Sequence, residues 1–168
     1  MPVPGRSVLM TQKKLAAWLR FVIIGFAVVG AGAYFWAIPQ FGLSIVGRYP
    51  EFAYAFRPWV ALIWATAIPC YAALVVAWKV ADSLAAERPF VPENATRFRA
   101  IARLAYFDSA LFLVGNIVYT FLNMTHPGIL LMALGVVFVG AAIGVVCQGL
   151  AGLVDNAADL QQQSDLTI

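Results

Sequence analysis

Charge is nearly absent from most of this sequence. No Asp, Glu, Lys or Arg occurs in residues 21–47, 58–78 or 109–154, and charged residues make up 11% of the 168-residue chain. A soluble domain carries about 25%. An ordinary water-facing surface is therefore excluded over each of those runs. Cysteine is scarce too. Cys70 and Cys147 both fall inside uncharged runs, so neither a disulfide framework nor a zinc-ligand spacing can be drawn. Histidine is limited to His126, which excludes a bis-histidine haem site. HExxH, GxSxG, P-loop and Rossmann glycine patterns are missing. The sequence thus offers no catalytic residue, no cofactor-binding residue and no metal ligand, and the chain reads as a non-enzyme without cofactors.

What is present is hydrophobic: 62% of all residues, with a mean hydropathy of +0.84. A helix needs about 20 apolar residues to cross about 30 Å of hydrocarbon. The first two uncharged runs each hold one such span, and the third, of 46 residues, holds two. "NMTHPG", residues 123–128, divides it, because Pro127-Gly128 is a turn signal. The expected fold is an all-α, integral membrane four-helix bundle forming a single domain over 1–168, with spans near 19–39, 58–79, 104–123 and 129–152 and a tail over 153–168. The first run is too long for a signal-peptide core and ends in Tyr34-Phe35-Trp36, an interfacial cluster, so it is read as a retained helix.

Basic residues set the expected orientation. Arg6, Lys13, Lys14 and Arg20 precede the first span, and Lys79, Arg88, Arg97, Arg99 and Arg103 lie between the second and third. Those nine stand against Arg48 and Arg57 on the other side, which predicts both termini and the central loop in the cytoplasm. The net charge of +3 lies mainly on helix flanks, so it points to anionic lipid rather than nucleic acid.

Between the second and third spans lies "ERPFVPENATRFRAIARL", residues 87–104. Pro89 and Pro92 must end the second helix, and Pro92 suits the first position of a new one. Glu93 then complements the positive helix end. Phe98, Ile101, Ala102 and Ala105 form an apolar stripe, and Arg97, Arg99 and Arg103 are expected to snorkel toward lipid phosphates. This predicts a short interfacial cytoplasmic helix leading into the third span, with Phe90 tucking the loop against the bundle. A lipid-anchoring connector is one reading; a docking surface for a soluble partner is the other.

"RPFVPENATRFRAIARL", together with the chain end "DLQQQSDLTI", resembles the bacterial membrane proteins grouped as the "domain of unknown function 2975" family. Those are four-span proteins with Pro-Phe, then Glu-Asn-x-x-x-[Leu/Phe]-x-x-Ile, before the third span. The matching positions are Pro89, Phe90, Glu93, Asn94, Phe98 and Ile101, then Asp165, Leu166, Thr167 and Ile168. This chain departs at Arg103, near where a glycine is expected, and at residues 161–164, where members tend to carry acids. The family has no assigned activity. Some relatives look paired with a small helix-turn-helix regulator, so the resemblance implies a membrane-tethered regulatory role.

Within the spans, Asp108, Asn116, Tyr119 and Asn123 share one helical face. A carboxylate at the depth of Asp108 is expected to pair with Lys79 or Arg20; a proton or ion site is the sharper alternative. Gln148 is an expected interhelical hydrogen-bond partner. Gly140 and Gly144 let backbones approach, either inside the bundle, where Gly25 and Gly32 of the first helix offer a groove, or across a homo-oligomer interface. Pro69 should kink the second helix near Thr66 and make a small cavity. The aromatic stretch over residues 41–56 reads as an interfacial outer loop. The expected function is a non-enzymatic regulatory or protein-interaction module in contact with lipid. The alternatives are an accessory subunit of a larger membrane complex and a small transporter or ligand-sensing protein.

Overall fold

A computed structural model describes the backbone of residues 5–125 and 127–165 and the side chains of 12–125 and 128–163. His126 and the matched chain end 166–168 lie outside the described residues, as does the side chain of Asp165. The elements are α1 (Gly5–Gly32), a π-helical turn (Ala33–Ala37), α2 (Ile38–Arg48), a 3-10 turn (Pro50–Phe52), α3 (Ala53–Ala85), α4 (Pro92–Phe121) and α5 (Pro127–Asp165). No strand occurs among the described residues.

Four helical stretches are long and apolar enough to cross a membrane: Gln12–Arg48, Pro50–Ala85, Pro92–Phe121 and Gly128–Gln163. At about 1.5 Å per residue, 36 residues run about 54 Å, well beyond about 30 Å of hydrocarbon. Three of the four stretches therefore overshoot the sequence-derived spans at both ends, and Pro92–Phe121 overshoots at its start alone.

The expected outer loop is mostly helix. α1 continues through the π-turn and α2 to Arg48, and the chain reverses within Tyr49–Phe52. Few turn-forming residues interrupt 41–56, and a backbone close to lipid satisfies its polar groups best by staying helical. Likewise the tail expected from 153 onward is a continuation of α5.

Chemistry at the other two reversals is local. Glu87 (φ 63°) and Asn123 (φ 53°) occupy the left-handed region just past α3 and α4. Arg88 N–H bonds Ser83 O at 3.0 Å, and Met124 N–H bonds Tyr119 O at 2.8 Å, so both helices close in Schellman turns. Pro92 then opens α4 from an extended Val91, with Glu93 in the first turn. Residues 92–103 and the third span are one unbroken helix, because no breaker follows Pro92.

The helices pack in chain order: α1 on α3, α3 on α4, α4 on α5. Among the described residues α5 meets α4 alone, and α1 meets neither α4 nor α5. The bundle is therefore an open row with α3 and α4 in the middle. Both described chain ends and the α3–α4 connection share one end of the row, called the basic end below.

Candidate functional site

Two polar assemblies stand out, one at the basic end and one inside the row. The first is built on Asn94, whose side chain is 1% exposed at the start of α4. Its Nδ2 donates to the carbonyls of Pro89 at 3.0 Å and Arg88 at 3.4 Å. Its Oδ1 accepts from Arg97 Nη1 at 2.8 Å. The same Arg97 nitrogen donates to Lys79 O at 3.0 Å and to Ser83 Oγ on α3. Asn94 thus fixes the connection, and Arg97 clasps it to the preceding helix.

Ion pairs extend this order across the row. Lys13 Nζ lies 3.3 Å from Glu87, Arg20 lies 2.6 Å from Asp82, and Arg99 pairs with Asp155. Arg20 also sits 5.7 Å above the Trp78 ring. Exposed pairs of this kind each contribute at most about 1 kcal/mol, so their effect is mainly positional. They join α1 to the end of α3 and its following turn, and α4 to α5.

Several expectations change here. Arg97 and Arg99 do not reach out to lipid; both are held by neighbouring elements, because acceptors lie closer than phosphates would. Phe90 does not tuck in. It is 52% exposed, since Asn94 already closes the turn from inside. Glu93 is exposed and Phe98 half-buried.

The second assembly lines the contact between α3, α4 and the π-turn. Tyr34 Oη donates to Cys70 Sγ at 3.6 Å, and Cys70 Sγ donates to Asp108 Oδ2 at 3.3 Å. Asp108 pairs with neither Lys79 nor Arg20. Arg20 is taken by Asp82, and Lys79 lies nine residues, about 13 Å, along α3 from Cys70. One turn from Cys70, Thr66 is buried and donates to Ile63 O at 2.7 Å. Farther along α4, Asn116 is fully buried and donates to Phe112 O at 2.9 Å. Tyr119 donates to Pro58 O at 2.8 Å, and Asn123 O accepts from Tyr54 at 2.9 Å. Of the polar face read from the sequence, Asp108 and Tyr119 are thereby bonded to α3 through their side chains and Asn123 through its main-chain carbonyl. Asp108 Oδ1 and Asn116 Oδ1 remain buried without a described partner.

Gly140 and Gly144 press against α4, not α1. A Cβ on Gly144 would stand 2.5 Å from Tyr106 Cε1, and one on Gly140 would collide with Ser109. Gly25 and Gly32 have nothing packed against them, because α1 lies at the far side of the row. Gln148 is exposed and bonds no described residue, since it lies off the α4-facing side of α5. A cavity of about 420 Å³ lies at the end opposite the basic one, lined by Gly42, Tyr49, Phe56, Trp59 and Met124.

Sequence reasoning missed Tyr34, Cys70, Ser83 and Asp155 as partners. Each is a tertiary pairing between helices, and the only local signal was the position of Cys70 right after Pro69.

The fold and its apolar helices define a multi-pass helical membrane protein. The chain belongs to the family described as "Protein of unknown function (DUF2975)", whose model matches residues 44–168. It is similar to the "Uncharacterized membrane protein YoaS" of Bacillus subtilis (strain 168), with 24% identity over 152 residues, covering 89% of this chain and 94% of that protein. No solved structure matches.

Proposed function

We propose that this chain is a non-enzymatic interaction or regulatory module of the bacterial inner membrane, with its basic end in the cytoplasm as the working surface. One observation carries the reading: polar side chains at that end are used to join elements. Asn94 and Arg97 lock the α3–α4 connection, while the Arg20–Asp82 and Arg99–Asp155 pairs brace the flanking helices. A surface held in one shape loses less entropy when a partner docks. The partner class proposed is a soluble cytoplasmic regulator such as a helix-turn-helix protein, without direct contact between this chain and nucleic acid.

Purification in mild detergent with identification of co-eluting proteins tests this. A soluble regulator whose retention falls on Arg97→Ala supports it. A stable larger membrane assembly would make the chain an accessory subunit instead. Reporter fusions at residue 168 and in the 123–128 turn test the orientation; cytoplasmic activity at the turn would sink it.

A second reading, small-ligand sensing or transport, is favoured by the Tyr34–Cys70–Asp108 string and the unpartnered Asp108 Oδ1. Ionisable groups within a membrane mark pathways often enough to make it specific. A proton-coupled flux in vesicles, abolished by Asp108→Asn without loss of folding, is the result that would establish it over the interaction role.

A further inference from the structure

At the end opposite the basic one, the row holds an apolar cavity at a level that lipid tails do not reach. Gly42, Ile45, Val46 and Tyr49 run along one face of α2 into its C-cap, at steps of three, four and seven residues from the first. Phe52 of the 3-10 turn and Ala55, Phe56 and Trp59 of α3 repeat that spacing. Met124 and Ile129 add a third wall from either side of the α4–α5 turn. Gly42 lets Phe56 stand close to α2, since a Cβ there would be 2.8 Å from Phe56 Cε2. The cavity is about 420 Å³, within the range of about 300–1,000 Å³ usual for small-molecule sites.

Depth, lining and size select the occupant. Tyr49 lies ten residues, about 15 Å, past the first sequence-derived span, which ends at residue 39. Phe52 likewise precedes the second, which starts at residue 58. Headgroups extend only about 5–8 Å beyond the hydrocarbon on each side, so acyl chains do not cover these walls. None of the lining residues is charged: Arg48, Glu51 and Arg57 are their neighbours in sequence, but they are exposed and line no part of the cavity. A charged ligand finds no counter-ion there, and water, which needs about two to four polar partners, is poorly held. A space of about 420 Å³ is about 7 Å on a side, and a helix about 10–12 Å across does not enter it. What fits is a small organic molecule. Tyr49 and Trp59 supply its polar contact, because each side chain has a donor and no hydrogen-bond partner among the described residues.

We infer that this cavity is a binding site for a small, uncharged, mostly apolar molecule that carries an acceptor oxygen. Such a molecule buries its body against Phe52, Phe56 and Trp59 and accepts a hydrogen bond from Tyr49 or Trp59. The site lies at the other end of the row from the surface proposed to meet a soluble regulator, so neither reading depends on the other.

The test uses benzophenone, a neutral two-ring ketone that inserts into nearby C–H bonds under long-wave ultraviolet light. The unaltered chain in lipid nanodiscs is irradiated with it, and labelled residues are mapped by mass spectrometry. Label is expected on Ile45 and Met124. Excess phenyl benzoate, a neutral two-ring ester without the photoreactive ketone, should reduce that label at least about fivefold by competition. Label on Phe138, which is 74% exposed on α5, should not change. Val46→Trp, which fills the cavity, should lose the competed label, and Leu43→Trp, on the exposed side of α2, should keep it. Phenyl benzoate should also raise the unfolding midpoint of the unaltered chain and of Leu43→Trp, but not of Val46→Trp. The competition in the unaltered chain decides the matter even where Val46→Trp fails to fold. No label at 45 and 124, label there that phenyl benzoate does not reduce (as a lipid chain in the cavity would give), or competed label retained in folded Val46→Trp would each overturn the inference.

Discussion

The indole N–H of Trp64 donates to the carbonyl of Tyr34 at 3.1 Å, five residues before Pro39. In the π-turn that precedes Pro39, Ile38 N–H bonds the carbonyl five residues back, Ala33 O. The next bond in that register would run from residue 39 to Tyr34, and proline has no N–H to make it. Trp64 of α3 supplies the missing donor. We predict that Trp64→Phe destabilises the protein by about 1–3 kcal/mol, the cost of leaving a carbonyl within a membrane-spanning helix without a donor. Pro39→Ala should shrink that loss, because alanine restores the local donor. Thermal unfolding of the four-member cycle in detergent checks this; equal losses in both backgrounds would show that the indole bond is incidental.

At the basic end, Asn94 is the residue on which the connection depends. Asn94→Ala should cost about 1–3 kcal/mol, since it removes donors from two carbonyls and an acceptor from Arg97. Glu93→Gln, one position earlier and exposed, should stay within about 0.5 kcal/mol. Unfolding midpoints of the two variants decide between a structural Asn94 and one that serves only a partner.

The environment of Asp108 yields a different expectation from the one its sequence position suggests. Its partner is Cys70, and Lys79 is far along α3. Asp108→Asn and Lys79→Gln should therefore be additive within about 0.5 kcal/mol. Asp108→Asn and Cys70→Ala should couple measurably, because they share one bond. A coupling between 108 and 79 would restore the ion-pair model.

Close helix contacts give the fourth prediction. A Cβ on Gly115 would come within 2.5 Å of Leu62 Cδ1. Leu62 is 8% exposed and has little room to move. Gly115→Ala should therefore cost about 1–3 kcal/mol by overpacking, with partial recovery on adding Leu62→Ala. Gly144→Ala should cost less, because the Tyr106 side chain it strikes is 39% exposed and can swing aside.

These cases show what kind of information the sequence holds. The four spans, the start of α4 at Pro92 and the shared face of Asp108, Tyr119 and Asn123 were legible, because proline chemistry, charge depletion and helical period act along one chain. The helical course of residues 41–56 was not. Aromatic residues signal an interface without stating whether the backbone there is loop or helix. The partner of Asp108 was illegible for a further reason: a rule that seeks a cation for each buried acid has no means of finding a thiol on the next helix. Asn94 was visible as a motif residue, but its role depends on three acceptors and donors brought together by the turn itself.

Because, among the described residues, each membrane-spanning stretch of the row touches only the stretches next to it in sequence, assembly can follow synthesis. Each newly made helix docks on the surface left by the one before it, and none must be threaded between two already in place. A ribosome that stalls after α4 would release a shorter row still complete in its own contacts, missing α5 and the surface α5 carries.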